Sequence, residues 1–172
     1  AKFYRVSGQS TQHQGVLPDV AFPSIIDTKE IGESALPEAM PWDTIRPAIK
    51  PAADPFKPFI AQLKADHDAR VAKDAEFIFI RDKLALADKL MAEKTVSLNE
   101  ADRRAQHADI DAQQLVMENA RRKAKGEAPL KEMKKEDEDA LPVEPEKTKP
   151  EDDAYLSETG RVLLDYLKLN PQ

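Results

Sequence analysis

The chain of 172 residues contains no cysteine. Disulfide frameworks, thiolate metal sites and cysteine nucleophiles are therefore excluded, and the absence suits a cytosolic or a periplasmic setting equally. Glycine is scarce, with 5 residues. That is too few for a Gly-rich phosphate loop or a dinucleotide fingerprint, which need several close together. Aromatic residues make up only 6% of the chain, so its core is thin for its length. No apolar run approaches the roughly 20 residues that cross a bilayer. The longest, Phe77-Ile78-Phe79-Ile80, is four residues between Glu76 and Arg81.

Charge is what the chain has in abundance: 34% charged against 41% hydrophobic. Such a balance points to long solvated helices or partial disorder. Lys+Arg total 26 and Asp+Glu 32, for a net charge of -6. An acidic chain lacks the clustered basic surface that grips a phosphate backbone, so nucleic acid is not an expected partner. The imbalance is local. Residues 127–153 hold eleven acidic and five basic residues, and the rest of the chain has 21 of each sign. With Pro129, Pro142, Pro145 and Pro150 this block reads as an acidic linker, with Leu130, Met133, Leu141 and Val143 as anchor points.

Residues 1–27 read as short β-strands. Ala1-Lys2-Phe3-Tyr4-Arg5-Val6 looks like a strand already under way, with no initiator Met or signal peptide, and the expectation is a piece of a longer or processed protein. Phe3 falls on one face and Tyr4 and Val6 on the other. Ser7-Gly8-Gln9-Ser10 reads as a turn, Thr11–Gln14 as a second strand and Asp19–Phe22 as a third, bracketed by prolines. So small a sheet is not stable alone, which calls for a partner sheet or covering helices. Residues 28–53 form a Pro-rich segment, with prolines at 37, 41, 47 and 51. Its apolar Ile31, Leu36, Met40, Trp42 and Ile45 suit a loop anchored across a surface.

From Asp54 the period becomes helical. Asp54-Pro55 reads as an N-cap with proline at the first helical position, followed by Phe56, Phe59, Ile60, Leu63, His67 and Val71. Asp74 caps a second helix carrying Phe77, Ile80, Leu84, Ala87, Leu90 and Met91. After an extended bridge, Ser97 or Asn99 caps a third helix that Gly126 ends. The small residues Ala101, Ala105, Ala108 and Ala112, with Leu115 and Val116, form its sparse apolar stripe. Its other faces are polar, so it is expected to project or bridge. A last amphipathic helix, within residues 154–172, carries Tyr155, Leu156, Thr159, Val162, Leu163, Tyr166 and Leu167 and is expected to dock back on its own fold.

No constellation carries chemistry. Gly8-Gln9-Ser10-Thr11-Gln12 comes near a nucleophile elbow but ends in Gln, and no Ser or Thr has Lys three residues later. Ser10, His13 and Asp19 are common residue types that happen to be neighbours. His67, between Asp66 and Asp68, reads as a mixed-charge helix surface rather than a metal ligand. The run Glu136–Asp139 lacks the glycine and ligand pattern of a calcium loop. No catalytic, cofactor or metal residue is assigned. The expected class is α+β and mostly α: terminal strands, a helical domain over 54–126, the acidic linker over 127–153 and the closing helix.

The stretch Phe3-Tyr4-Arg5-Val6-Ser7-Gly8-Gln9-Ser10-Thr11-Gln12-His13-Gln14-Gly15-Val16-Leu17-Pro18-Asp19-Val20 resembles the end of the catalytic core in carboxy-terminal processing proteases. Ala35-Leu36-Pro37, Pro41-Trp42-Asp43, the run Asp66–Phe77 and Val96-Ser97-Leu98-Asn99 are similar to the tail-specific branch of that family. The resemblance covers nearly the whole chain and is weakest in the acidic block. It implies a periplasmic serine endopeptidase with a Ser-Lys dyad that cuts proteins with apolar, unstructured C-termini. No position here matches the dyad. By the resemblance, residues 3–22 close the protease core and the helices pack around it. It allows an adaptor lipoprotein or a second copy as partners, and an association with the inner membrane surface. The long third helix is the expected docking element, through Arg103, Arg104, Arg121 and Arg122. The competing class is a non-catalytic helical adaptor or scaffold with an acidic linker, against which the unpaired strands argue.

Overall fold

The computed structural model describes residues 2–24, 32–48, 54–133 and 149–171. Four α-helices dominate the described residues: α1 (Ile60–Val71), α2 (Ala75–Ala92), α3 (Glu100–Lys125) and α4 (Ala154–Leu169). Single-turn 3-10 helices lie at Glu33–Ala35 and Pro150–Asp152. Among the described residues strand structure is confined to isolated bridges, so the expected class, mostly α with a little β, is the one observed. The chain divides into two compact units, Ala1–Asp66 with Leu164–Gln172 and His67–Leu163, and the division falls within α1 and α4.

In the first unit the backbone turns at Val6–Gly8 and doubles back. Arg5 N–H donates to Gln9 O (2.9 Å) and Thr11 N–H to Phe3 O (3.1 Å), so Tyr4 lies opposite Ser10. A third segment lines the far side. Ser10 N–H donates to Asp43 O (3.0 Å) and Ile45 N–H to Gly8 O (2.8 Å). The middle strand is therefore Gln9–Thr11, and its outer neighbour comes from the Pro-rich segment, where no strand was expected. A pairing needs only alternate backbone groups free, and Asp43, Thr44 and Ile45 supply them before Pro47 intervenes. The expected strands at Thr11–Gln14 and Asp19–Phe22 do not form. Gln12–Gln14 turn instead: Gly15 N–H closes on Thr11 O (2.9 Å), with His13 in the left-handed region at φ 60°.

Helix α1 begins at Ile60 rather than beside Asp54. Pro58 explains the delay, because a proline disfavours helical geometry at the preceding residue, here Lys57. Asp54 still caps locally, accepting from Phe56 N–H at 2.9 Å. Phe56 and Phe59 meet the Tyr166 ring at centroid distances of 4.9 and 5.7 Å, and Leu63 is buried.

The second unit is helical. Asp74 caps α2, its Oδ1 accepting from Glu76 N–H at 2.9 Å. Asn99 caps α3 through Ala101 N–H (2.8 Å). Ser97 is used as well: its hydroxyl donates to Asp102 at 2.8 Å. Gly126 ends α3 at φ 77°, where Glu127 N–H reaches Arg122 O (2.8 Å) and Gly126 N–H reaches Lys123 O (3.1 Å), a Schellman closure. Helices α2 and α3 form an antiparallel hairpin. The start of α2 meets the end of α3 through Glu76 and Arg121, and Glu93 just past α2 meets Gln106 (2.8 Å).

The face that α3 turns to α2 is not the alanine stripe. Ala101, Ala105, Ala108 and Ala112 are exposed and Val116 is 69% exposed. The covered positions include Arg103, Gln106, Ile110, Gln113, Gln114, Leu115, Met117, Glu118 and Arg121; Gln106 and Arg121 reach across to Glu93 and Glu76, while Arg103 and Gln113 bond Gln106 and Asp109 on α3 itself.

Candidate functional site

The most enclosed group among the described residues is a carboxylate. Glu158 of α4 has a fully buried side chain. Arg70 of α1 donates to its Oε1 from Nη2 at 2.8 Å and from Nε at 3.0 Å. His67 Nδ1 lies 3.0 Å from the same oxygen. A carboxylate only accepts, so Nδ1 carries the hydrogen and donates. Arg161 Nη1 stands 3.4 Å from Glu158 Oε2 and 3.4 Å from Asp74 Oδ2, joining the cluster to the N-cap of α2. Phe77 roofs the cluster, its ring edge-on to His67 at 6.1 Å and to Tyr155 at 5.8 Å. Burial by itself would push the Glu158 carboxyl up. The hydrogen bonds from Arg70 and His67, with their charges, outweigh it and hold the carboxyl below its ordinary value.

The expected surface role of His67 is overturned. The ring is only 2% exposed and points into the unit, because α1 turns it to the side on which α4 docks. Glu158 escaped the sequence reading. The signal was there: Tyr155, Glu158, Val162 and Tyr166 fall at helical spacing, so a carboxylate sits on the docking face of an amphipathic helix.

A second cluster locks the open end of the α2–α3 hairpin. Arg121 donates to Glu118 at 2.7 and 3.0 Å and to Glu76 at 3.0 Å, and Lys125 Nζ reaches Glu76 at 2.9 Å. The Arg121 guanidinium lies 5.1 Å from the Phe79 ring centroid. Hydrogen bonding to Glu118, then the Glu76 charge, raises the Arg121 pKa against the effect of burial. Beyond Gly126 the chain is clamped. Asn119 exchanges two hydrogen bonds with the backbone of Leu130 (2.7 and 3.0 Å), and Arg122 donates to Ala128 O at 2.7 Å. Of the expected anchor points, Leu130 is thus held by its backbone and Met133 is half-buried, whereas Leu141 and Val143 lie outside the described residues.

Of the four arginines expected to dock a partner, Arg121 and Arg122 are committed within the hairpin. Arg103 bonds Gln106 at 2.7 Å. Among the described residues Arg104 pairs only with Glu100, and it keeps its side chain 80% exposed. The four do not form one patch. In the first unit Ser10 Oγ is spent on Gln12 N–H (3.0 Å), and His13 turns to Ser34 (3.2 Å). Asp43 accepts from Lys2 Nζ at 2.9 Å and Tyr4 OH at 3.2 Å through Oδ2. The Lys2 hydrogen bond lowers its pKa, against desolvation. Among the described residues no group of three His, Asp or Glu could hold a metal ion. What these clusters do is mechanical: they tie helices far apart in sequence to one another.

Residues 26–168 match the family described as the C-terminal domain of tail specific protease (DUF3340). Over 172 residues the chain is 35% identical to the tail-specific protease of Haemophilus influenzae, an alignment covering 98% of this chain and 24% of that relative. The chain therefore spans about a quarter of the length of the relative it matches.

Proposed function

The chain belongs to the family of C-terminal domains of tail-specific proteases, and from that premise we propose that it works as the non-catalytic C-terminal part of a periplasmic serine endopeptidase. The parent enzyme hydrolyses peptide bonds with a Ser nucleophile activated by a neutral Lys, acting on proteins with apolar, unstructured C-termini. This part supplies no group to that chemistry. Its terminal hairpin completes the sheet of the protease core, the Pro-rich segment lies across that core, and the helices restrict access and offer docking surface.

The observation that carries the reading is the 35% identity to a tail-specific protease along 98% of the chain. The exposed apolar side chains support it. Phe3 and Val6 on the hairpin are 73% and 68% exposed, and Leu36, Trp42 and Ile45 on the Pro-rich segment 61%, 40% and 51%. Several large apolar groups on so short a length of chain suit a surface that the rest of the protease covers.

The test uses the full-length protein and a version truncated before this segment. Each is assayed on a protein substrate ending in apolar residues and on the same substrate ending in charged residues. The full-length enzyme is expected to cleave the first faster, and the truncated one to lose cleavage or that preference. Peptide hydrolysis by the isolated chain, or unchanged preference after truncation, overturns the reading.

A further inference from the structure

The α2–α3 hairpin carries an open groove of about 510 Å³, lined by Ala85, Leu86, Ala112, Gln113, Val116 and Met117, with Asp82 and Lys89 on its α2 rim. Beside it runs the alanine stripe of α3, exposed from Ala101 to Ala112. Two helices leaving such a groove need a third or fourth to cover it.

The rim charges point to which. Neither Asp82 nor Lys89 makes a hydrogen bond or ion pair among the described residues, although most charged side chains facing the hairpin interior do. They stand seven residues apart on α2, two turns or about 10 Å, at either end of the apolar floor. Their midpoint lies between Ala85 and Leu86, the centre of the groove on α2. A second α2 laid antiparallel across that midpoint brings Asp82 of each copy opposite Lys89 of the other. The same two-fold sets Leu86 of each copy against the small Ala85 of the other, so that the helices can approach closely. An arrangement in which one patch satisfies its own charges is what an isologous interface requires.

We propose that the α2–α3 groove is a homodimer interface in which two hairpins pack as a four-helix bundle about a two-fold axis between Ala85 and Leu86, closed by two reciprocal Asp82–Lys89 pairs. This goes beyond the protease reading and does not depend on it: the surface would pair two copies whatever the parent enzyme cleaves.

The test is sedimentation of the full-length protein over a concentration series, with Asp82→Lys, Lys89→Asp and the double variant carrying both. Both side chains are exposed and unpaired, so far-UV circular dichroism is expected to stay unchanged and serves as the folding control. Each single variant sets like charges against each other twice and is expected to weaken the dimer about 10-fold or more. The double variant restores it. So does an equimolar mixture of the two single variants, which then forms a mixed dimer. A protein that stays monomeric throughout, as when another segment of the same polypeptide covers the groove, overturns the proposal. So does a dimer indifferent to both charges. Peptide cleavage, measured alongside, reports separately on the proposed function.

Discussion

Glu158 accepts from Arg70 Nη2 at 2.8 Å across 88 residues of sequence, and its carboxylate has no exposed surface. The pair thus ties the first half of the last helix to α1. Removing the carboxylate leaves the Arg70 guanidinium and the His67 ring without their principal acceptor in a buried place, and breaking such a pair typically costs about 3–5 kcal/mol. Arg70 keeps 27% of its side-chain surface exposed and can recover water, so the lower end applies. Glu158→Ala is expected to cost about 3 kcal/mol in urea unfolding and to speed amide exchange over 154–163. Glu158→Gln, which keeps the shape and one acceptor oxygen, costs less. Unchanged exchange in the alanine variant would mean that apolar contacts alone dock α4.

The same residue sets a dependence on pH. The folded Glu158 carboxyl lies below its ordinary value of 4.5. A depressed carboxyl contributes stability that is fully present above the unfolded value and is lost as pH falls through the folded one. Stability is therefore expected to hold from neutral pH down to about 5 and to decline below 4.5, and Glu158→Gln to remove part of that slope. Parallel stability curves for wild type and Glu158→Gln between pH 6 and 3 would assign the acid sensitivity to other carboxylates.

What the sequence disclosed and what it hid divide along the range of the interactions. Asp74, Asn99 and Gly126 set helix limits within a turn of themselves, and all three ends fall where the sequence places them. The start of α1 was misplaced because Asp54-Pro55 gives the stronger local signal, while Pro58 decides the backbone. The covered face of α3 was misread because alanine counts as apolar in a periodicity, whereas Gln106, Gln113 and Arg121 bury long stems under polar ends. The pairing of His67 and Arg70 with Glu158 could not be read at all, since it joins positions 91 and 88 residues apart. Family resemblance was legible from contiguous motifs, which need no three-dimensional knowledge.

Gly8 is the backbone hinge of the first unit. Its φ of +83° is one that side chains rarely adopt, and a Cβ there would run into the Ile45 carbonyl oxygen. The obstruction is backbone and cannot swing aside. Gly8→Ala is expected to part the 43–48 segment from the hairpin, so that the Ser10 and Ile45 amides lose protection from exchange. Gly15→Ala is the control. At φ +59° with nothing within 4 Å, it pays only backbone strain, about 1 kcal/mol, and leaves those two amides protected. Equal protection in both variants would show that the close approach at Ile45 is easily relaxed.

The arginines of α3 separate structure from docking. Arg121 bridges Glu118 and Glu76 and stacks on Phe79, so reversing its charge places two carboxylates and an aromatic face against an anion. Arg121→Glu is expected to unfold the open end of the hairpin, costing about 2 kcal/mol or more, and Arg121→Ala about 1–2 kcal/mol. Among the described residues Arg104 pairs only with Glu100, one turn away in the solvent, and such pairs add little. Arg104→Glu is expected to leave the melting temperature unchanged. A partner that docks on α3 through its basic residues must then reveal itself at Arg103 and Arg104. Weaker cleavage by an Arg104→Glu enzyme of unaltered stability supports such docking, whereas weaker cleavage by Arg121→Glu says only that the hairpin has come apart. If Arg121→Glu melts with the wild type, Glu76 finds its cation in Lys125 alone, and the bridge across the hairpin is ornamental.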